Sequence, residues 1–322
     1  TLSLHDALPI CHDRLLEVGC GDDGQRSPSS AAASPAAWLS AITSEVVARR
    51  HTDRYSVTMS APASSIGSLV RTWRQRRALS QLALALEAET SQRHLSFIES
   101  GRAAPSREMV LRLAEHLRVP LRERNAMLLA AGFAPVFRER AANDPDLALA
   151  NRAVEAILKG HEPYPALAFD RHWNLQLANA AVQPLLAGVD DTLLRPPVNV
   201  LRLALHPQGL APRIANFREW RNHLLTRLRR EIDNVADAAL IDLWEELQAY
   251  SIPAGAGPAG PVEPTTVAVP LRLVTASGTL SFISTTTVFG TALDIALAEL
   301  AIEAFFPADD RTAKRLHNGR RG

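Results

Sequence analysis

Between Ser65 and Ala131 the apolar positions recur at helical spacing in five consecutive stretches. In the first, Ser65–Leu79, the residues Ile66, Leu69, Val70 and Trp73 share one face, while Arg71, Arg74, Arg76 and Arg77 fall mostly on the other. Ser80 opens the second as a capping residue, followed by Leu82, Ala83 and Leu86. Thr90-Ser91 caps a third, marked by Leu95, Phe97 and Ile98; Gly101 stops it and Pro105 prevents it from resuming. Ser106–Leu117 carries Met109, Val110, Leu113, Ala114 and Leu117, and Leu121–Ala131 adds a fifth helix that Gly132 ends. The second and third helices are too short to bury a core by themselves. Residues 62–140 are therefore expected to pack as one all-α, five-helix unit of about 75 residues, a normal size for a single core.

Past the polar connection Phe137–Pro145 the pattern changes. A helix over Leu147–Leu158 stops at Gly160, and Tyr164–Phe169 and Trp173–Ala178 read as strands around the turn Asp170-Arg171-His172. Asn179 stands where a helix over Ala180–Leu186 begins, and a short element follows at Asn199–Leu205. Asn216–Ile232 is a long amphipathic helix with Phe217, Trp220, Leu224, Leu225 and Leu228 inward, and Asp237–Tyr250 is one more. After the Pro/Gly/Ala loop Pro253–Pro264, Thr266–Val274 and Gly278–Thr287 read as consecutive strands, with Leu297–Phe306 as a closing helix. Residues 146–307 thus form an α+β domain, and 308–322 a flexible tail. The run of strand, Asp-containing turn, strand, Asn and helix is similar to the opening of PAS domains. That likeness implies that Asn179 pins the strand–helix corner.

Arg74, Ser80-Gln81, Leu82-Ala83, Ser91, Leu95, Ile98, Glu99 with Gly101, and Pro105-Ser106 stand in a single register. Through them the first domain resembles the XRE/lambda-repressor-type helix-turn-helix family. The resemblance implies a lambda-repressor-like fold in which Gln92, Arg93 and Ser96, with His94 beside them, approach base edges. It also implies that Gln81 holds a phosphate or a neighbouring Gln, and that Arg74 and Glu99 form a semi-buried ion pair bracing the first and third helices. The residue types suit these roles, because Gln pairs with adenine and Arg with guanine in a bidentate way. Arg102, in the loop after the third helix, is expected to touch phosphate only.

Charge sharpens the division. Residues 64–140 hold 13 Arg and 7 Glu with no Lys or Asp, a formal +6, whereas 146–307 hold 12 basic and 17 acidic residues, a formal −5. The basic part has the footprint of a nucleic-acid binder and the acidic part does not. Residues 1–58 show no sustained apolar period, and SPSSAAASPAA at 27–37 is of low complexity. The opening TLSLHDALPI looks like translated sequencing-adapter DNA, so 1–58 are expected to be a non-native or disordered leader with Met59 as the natural start. LLEVGCGDDG at 15–24 is similar to the first motif of Rossmann-like methyltransferases, but no helix or further βα unit follows it. Both cysteines, Cys11 and Cys20, lie in this leader, so disulfides and Cys-based metal sites are excluded from the two domains. With no signal peptide and no apolar run long enough to span a bilayer, a cytoplasmic location and no membrane partner are expected.

The stretches HPQGL, NFREWRNHLL and LSFISTTTVFGTALDIALAELAIEAFFPAD follow the helix-turn-helix. In this combination the chain resembles MmyB-like transcription regulators over about residues 62–307. The resemblance implies a PAS-like domain that takes an apolar, acyl-chain-like small molecule. Phe169, Trp173, Trp220, Leu224, Phe282 and Phe289, with Thr286 among the hydroxyls of Thr285–Thr287, would suit a mainly apolar pocket with a few polar anchors. The sequence contains none of the Gly-x-Ser-x-Gly, His-Glu-x-x-His or phosphate-loop motifs, and its His and paired carboxylates are dispersed or adjacent; no catalytic residue, metal or cofactor is expected. Three function classes stay open. One is a ligand-responsive regulator that binds a double-stranded operator as a homodimer; another is a DNA-binding protein whose second domain only dimerises; the last is an enzyme with an appended DNA-binding head.

Overall fold

Serine begins four of the five helices of the first domain, and each of these hydroxyls accepts a hydrogen bond from the backbone N–H three residues on. The pairs are Ser65 with Ser68 (3.2 Å), Ser80 with Ala83 (3.0 Å), Ser91 with His94 (3.1 Å) and Ser106 with Met109 (3.2 Å). They start α1 (Ile66–Arg76), α2 (Gln81–Glu87), α3 (Gln92–Glu99) and α4 (Arg107–His116); α5 (Leu121–Ala130) starts after Pro120 without a side-chain cap. The computed structural model describes residues 65–318 other than 142–143, 236, 258–267 and 291. The readings made on 1–58 lie outside these residues: the leader, its two cysteines and its glycine-rich motif.

The head closes on one core built from Val70, Trp73, Leu84, Leu95, Ile98, Val110, Leu113, Leu117, Met127 and Leu128. On α2 and its C-cap the buried side is Leu84, Ala85 and Ala88, not Leu82 and Leu86, which are exposed. Leucines spaced two apart cannot share one helical face, and packing selected the middle one. Gly67 lets α1 cross α3 at backbone contact, since a Cβ there would lie 2.3 Å from the Ile98 carbonyl oxygen. At the corner between α2 and α3, Glu89 sits in the left-handed region with φ 50°.

The second domain begins with a 3₁₀ turn at Pro145–Leu147 and α6 (Ala148–Gly160). Next come β1 (Ala166–Phe169), β2 (Leu175–Ala178), α7 (Val200–Leu205), α8 (Phe217–Val235) and α9 (Ala238–Ala249). The chain ends in β3 (Leu271–Thr275), β4 (Gly278–Val288), α10 (Ile295–Ala298), β5 (Ala301–Pro307) and α11 (Asp310–Asn318). The five strands form one sheet in the order β2-β1-β5-β4-β3, and every neighbouring pair is antiparallel. One face carries Phe169, Leu271, Leu273, Leu280 and Phe282 against Trp220, Leu224 and Leu228 of α8 and Leu243 and Leu247 of α9. The other face sets Ala166, Ala168 and Ile302 against Val154 and Leu158 of α6. Asn179 ties this corner: its Oδ1 accepts from the Ala166 N–H, and its Nδ2 donates to the carbonyls of Leu158 and Tyr164.

Three expected elements differ. Leu297–Phe306 does not close the domain as a helix; a single turn, α10, precedes β5, which fills the slot between β1 and β4. Ile302 and Glu303 point to opposite faces there, so sheet pairing overrides the helical propensity of an Ala-rich run. Residues 310–318, expected as tail, form α11 on β4. Thr312 is fully buried and accepts from the Ser281 N–H, and Arg315 donates to the Thr279 carbonyl. The helix expected over Ala180–Leu186 is reduced to a 3₁₀ turn at Gln183–Leu186, interrupted by Pro184.

Candidate nucleic-acid interface and ligand cavity

The orientation of α3 is set by Glu99 in its last turn. The carboxylate is fully buried and accepts from Arg74 Nε at 2.6 Å, Arg74 Nη2 at 2.9 Å and Gln81 Nε2 at 2.9 Å. Arg71 lies 3.5 Å from it and donates to the Glu99 backbone carbonyl. Burial alone would raise this carboxyl, but the hydrogen bonds from Arg74 and Gln81 and the charges of Arg74 and Arg71 hold it below the ordinary range. The same bond raises the Arg74 guanidinium above its own. Gln81, expected at a phosphate or a neighbouring Gln, is therefore turned inward as a strut of this pair. At the other end of α3, Gln92 and Arg93 are exposed, and His94 and Ser96 are half-buried. Arg93 lies over the Phe97 ring with its guanidinium carbon 5.3 Å from the centroid, and Arg102 is exposed in the following loop.

In the second domain an apolar cavity of about 100 Å³ lies between the sheet, the β1–β2 unit, α7 and α8. Trp173, Trp220, Leu224 and Phe282 line it as expected, joined by Leu167, Leu201 and Ala204. Phe169 is one layer back, stacked flat on Trp173 at 4.6 Å with 8° between the planes. Thr286 and Phe289 are not in the wall. Thr286 pairs with Glu303 but is exposed, as are Thr285 and Thr287, because β4 runs on past its helical cover. Phe289 packs on the opposite side of the sheet with Val154 and Leu158.

Polarity enters the cavity at one corner. Glu303 reaches the lining while only 5% exposed, and accepts from Arg227 Nη1 at 3.0 Å. The Arg227 guanidinium lies 4.4 Å above the Trp173 ring, and the Trp173 indole N–H donates to Glu231 at 2.8 Å. Burial pushes the Glu231 carboxyl above its ordinary range against the pull of Arg227 and of that indole bond. His223 stacks on Trp220 at 5.2 Å, and burial followed by the charge of Arg227 lowers its imidazole, favouring the neutral form. Such a site can hold an apolar body and orient one polar end.

Residues 150–318 match the family model described as the MmyB-like transcription regulator ligand binding domain, over more than half of the chain. The chain belongs to the MmyB-like transcription regulators. Residues 70–124 also match a helix-turn-helix model, from α1 into α5. No curated protein matches the chain. This MmyB-like regulator is therefore a DNA-binding transcription regulator with a ligand-binding domain, and its families are not those of enzymes. Among the described residues no helix is long and apolar enough to cross a membrane, and no group of three His, Cys, Asp or Glu is placed to hold a metal ion.

Sequence reading missed Arg227, Glu231 and Glu303. Arg227 and Glu231 stand four apart on α8, a spacing that ordinarily signals a solvated ion pair. Their special place depends on β5, a segment whose Ala-rich sequence reads as helix. In the regulator Glu303 is set beside them only because that segment is the central strand.

Proposed function

We propose that the protein binds a two-fold-symmetric DNA operator as a homodimer and answers to an apolar, acyl-chain-like small molecule held in its PAS-like second domain. The apolar cavity with the Arg227–Glu303 corner carries this reading. Glu303 gives the otherwise apolar wall one buried polar group suited to orienting the polar end of a guest. The sheet with a hairpin at each edge, and Asn179 tying its first strand to the preceding helix, support the PAS-like description.

On the DNA side, Gln92 and Arg93 read base edges from the exposed first turn of α3, with His94 and Ser96 beside them, and Arg102 neutralises phosphate. A recognition helix reads only a few base pairs. Two heads about one helical turn apart, ~34 Å, supply the length a unique site needs. Mass spectrometry of small molecules co-purifying with residues 59–322, run beside selection of binding sites from random DNA, tests the reading. Expected are an apolar compound at up to one per chain and an inverted-repeat operator. A cavity that retains nothing and takes up no apolar compound, in a protein that still dimerises on DNA, would instead assign the second domain to dimerisation alone.

A further inference from the structure

The head is fastened to the second domain by ion pairs and hydrogen bonds, and the fastened segments, the β1–β2 turn and α8, also supply residues of the cavity wall. Arg122 of α5 donates through Nε and Nη2 to both oxygens of Glu299, at 2.9 Å each, and through Nη1 to Glu139 at 2.8 Å. Arg171, in the β1–β2 turn, donates to Glu299 at 3.0 Å, lies 3.4 Å from Glu123 of α5 and pairs with Asp237. His172 bonds Asp237 at 3.0 Å, and Asp237 caps α9 through the Ala239 N–H. A second fastening joins the end of α1 to the last turn of α8: Arg77 donates to Asn234 at 3.0 Å, and Arg76 to the Val235 carbonyl at 3.3 Å.

Each fastening continues into the cavity. Trp173, which lines it, follows Arg171 and His172 directly and stands in the left-handed region with φ 65°. Its carbonyl accepts from the Val200 N–H, while Asn199 donates to the His172 carbonyl, so turn and α7 are coupled. Trp220 and Leu224 line the cavity from the helix whose last turn carries Asn234 and Val235. About 100 Å³ is less than the roughly 150 Å³ that admits a benzene-sized guest. A longer apolar molecule needs more room than this, and Trp173 and α8 form two of the walls it would press on.

The clamp is also incompletely satisfied. Two guanidinium groups, Arg122 and Arg171, face the carboxylates of Glu123, Glu139, Glu299 and Asp237, and Glu123 Oε2 is buried without a hydrogen-bond partner. Opening the seam would hydrate that oxygen, which favours the released arrangement against the clamped one. Burial pushes the Glu123 carboxyl above its ordinary range in the same seam.

We propose that this seam is the cavity's output: a guest larger than the cavity displaces Trp173 and α8, withdraws Arg171 and Asn234 from the head, and frees the helix-turn-helix from a fixed orientation. The inference deepens the reading above and rests on the cavity being the effector site. A ligand shifts such an equilibrium only by its differential affinity for the two arrangements, and a cavity that must expand supplies that difference. Gln92, Arg93 and Arg102 have no part in the seam, so release alters how two heads are spaced rather than what each head reads.

The test measures the distance between spin labels at Leu86→Cys on the head and Leu149→Cys on α6, both exposed positions, in the full chain with Cys11→Ser and Cys20→Ser. The unaltered seam should give one narrow distribution, and Arg122→Met with Arg171→Met a broad one. Ala204→Phe, which overfills the cavity, should broaden the distribution with the seam residues intact, and so should saturation with 1-decanol as guest. A narrow distribution in folded Arg122→Met/Arg171→Met protein overturns the clamp. Broadening in that variant, but none in folded Ala204→Phe protein, overturns the link to the cavity. Failure of 1-decanol to bind at all counts against the cavity as an apolar effector site, and the seam and overfilling variants still decide the clamp and its link to the cavity.

Discussion

Replacing Glu99 by Gln keeps the side chain's shape and removes its charge. In the head this leaves Arg74, 12% exposed, with a neutral partner, and sets an amide N–H₂ against donors from Arg74 or Gln81. Breaking one partner of a buried, hydrogen-bonded pair costs ~3–5 kcal/mol, against a stability of roughly 3–10 kcal/mol for a domain of this size. Amide exchange in α3 and α1, followed by mass spectrometry on the full chain, should therefore speed up about a hundred- to several-thousand-fold, while amides of β4 and β5 keep their protection. The effect depends on pH with a definite sign. The folded carboxyl titrates below its ordinary range, so its contribution is complete above pH ~4.5 and is lost as pH falls through that range toward the folded value. The gap between wild type and Glu99→Gln should close in acid. Arg74→Met combined with Glu99→Leu should recover much of the loss, because an apolar pair of similar volume has no stranded charge. Unchanged α3 exchange in Glu99→Gln, or a double variant as unstable as the sum of its singles, would refute the reasoning.

Gly67→Ala should destabilise the head by at least the ~1–3 kcal/mol of ordinary overpacking, since its methyl meets the backbone carbonyl oxygens of Ile98 at 2.3 Å and Glu99 at 2.9 Å; thermal unfolding and loss of operator binding check it. Arg93→Ala should relax preference at one operator position by ~1–3 kcal/mol, whereas Arg102→Ala weakens all sequences alike; binding-site selection with each variant separates the two. Leu224→Glu or Phe282→Glu should abolish uptake of an apolar guest by placing a charge in the cavity wall, with the retained molecule read by mass spectrometry. Glu231→Gln should stabilise the second domain at neutral pH while keeping an acceptor for the Trp173 indole. Its carboxyl is raised in the fold, so the penalty for ionising it is full above the raised value; the gain should fade as pH falls from there toward ~4.5 and be absent below it, as urea titrations at several pH values will register.

Legibility followed how local each signal was. The serine caps and helical stops of the head are local, and α1 to α5 appear where capping and periodicity place them. The Arg74–Glu99 pair followed from family resemblance, but Gln81's inward role did not, because a polar residue at a helix start reads equally well as a phosphate ligand. On α2, leucines at alternating positions offer two faces, and the one through Leu82 and Leu86 gave way to Leu84 in packing. Beyond residue 290 local signals misled. An Ala-rich run favours helix, and only pairing with β1 and β4, more than a hundred residues away for β1, makes it a strand. The errors at the cavity have the same origin. Thr286 belongs to a strand that outruns its cover, Phe289 follows that strand's last residue, and Glu303 enters the site with β5, whose sequence reads as helix.

The head's formal +6 overstates the charge it can present to DNA. Arg74 is committed to Glu99, Arg77 to the carbonyls of Leu117 and Arg118 and to Asn234, Arg124 to the Val119 carbonyl and Glu115, and Arg140 to Asp294. Arg122 joins Glu139 to Glu299 of the acidic domain. A guanidinium fork suits a carboxylate as well as a phosphate, so composition alone cannot divide these roles. Arg93, Arg102 and Arg107 are exposed on α3, in the loop after it and at the start of α4. On the proposed reading, phosphate neutralisation by a few such residues per head, rather than by thirteen, would set the salt dependence of operator binding. The opposite charges of the two domains therefore have two consequences: they leave a small basic face for DNA, and they hold the head against the domain that carries the cavity.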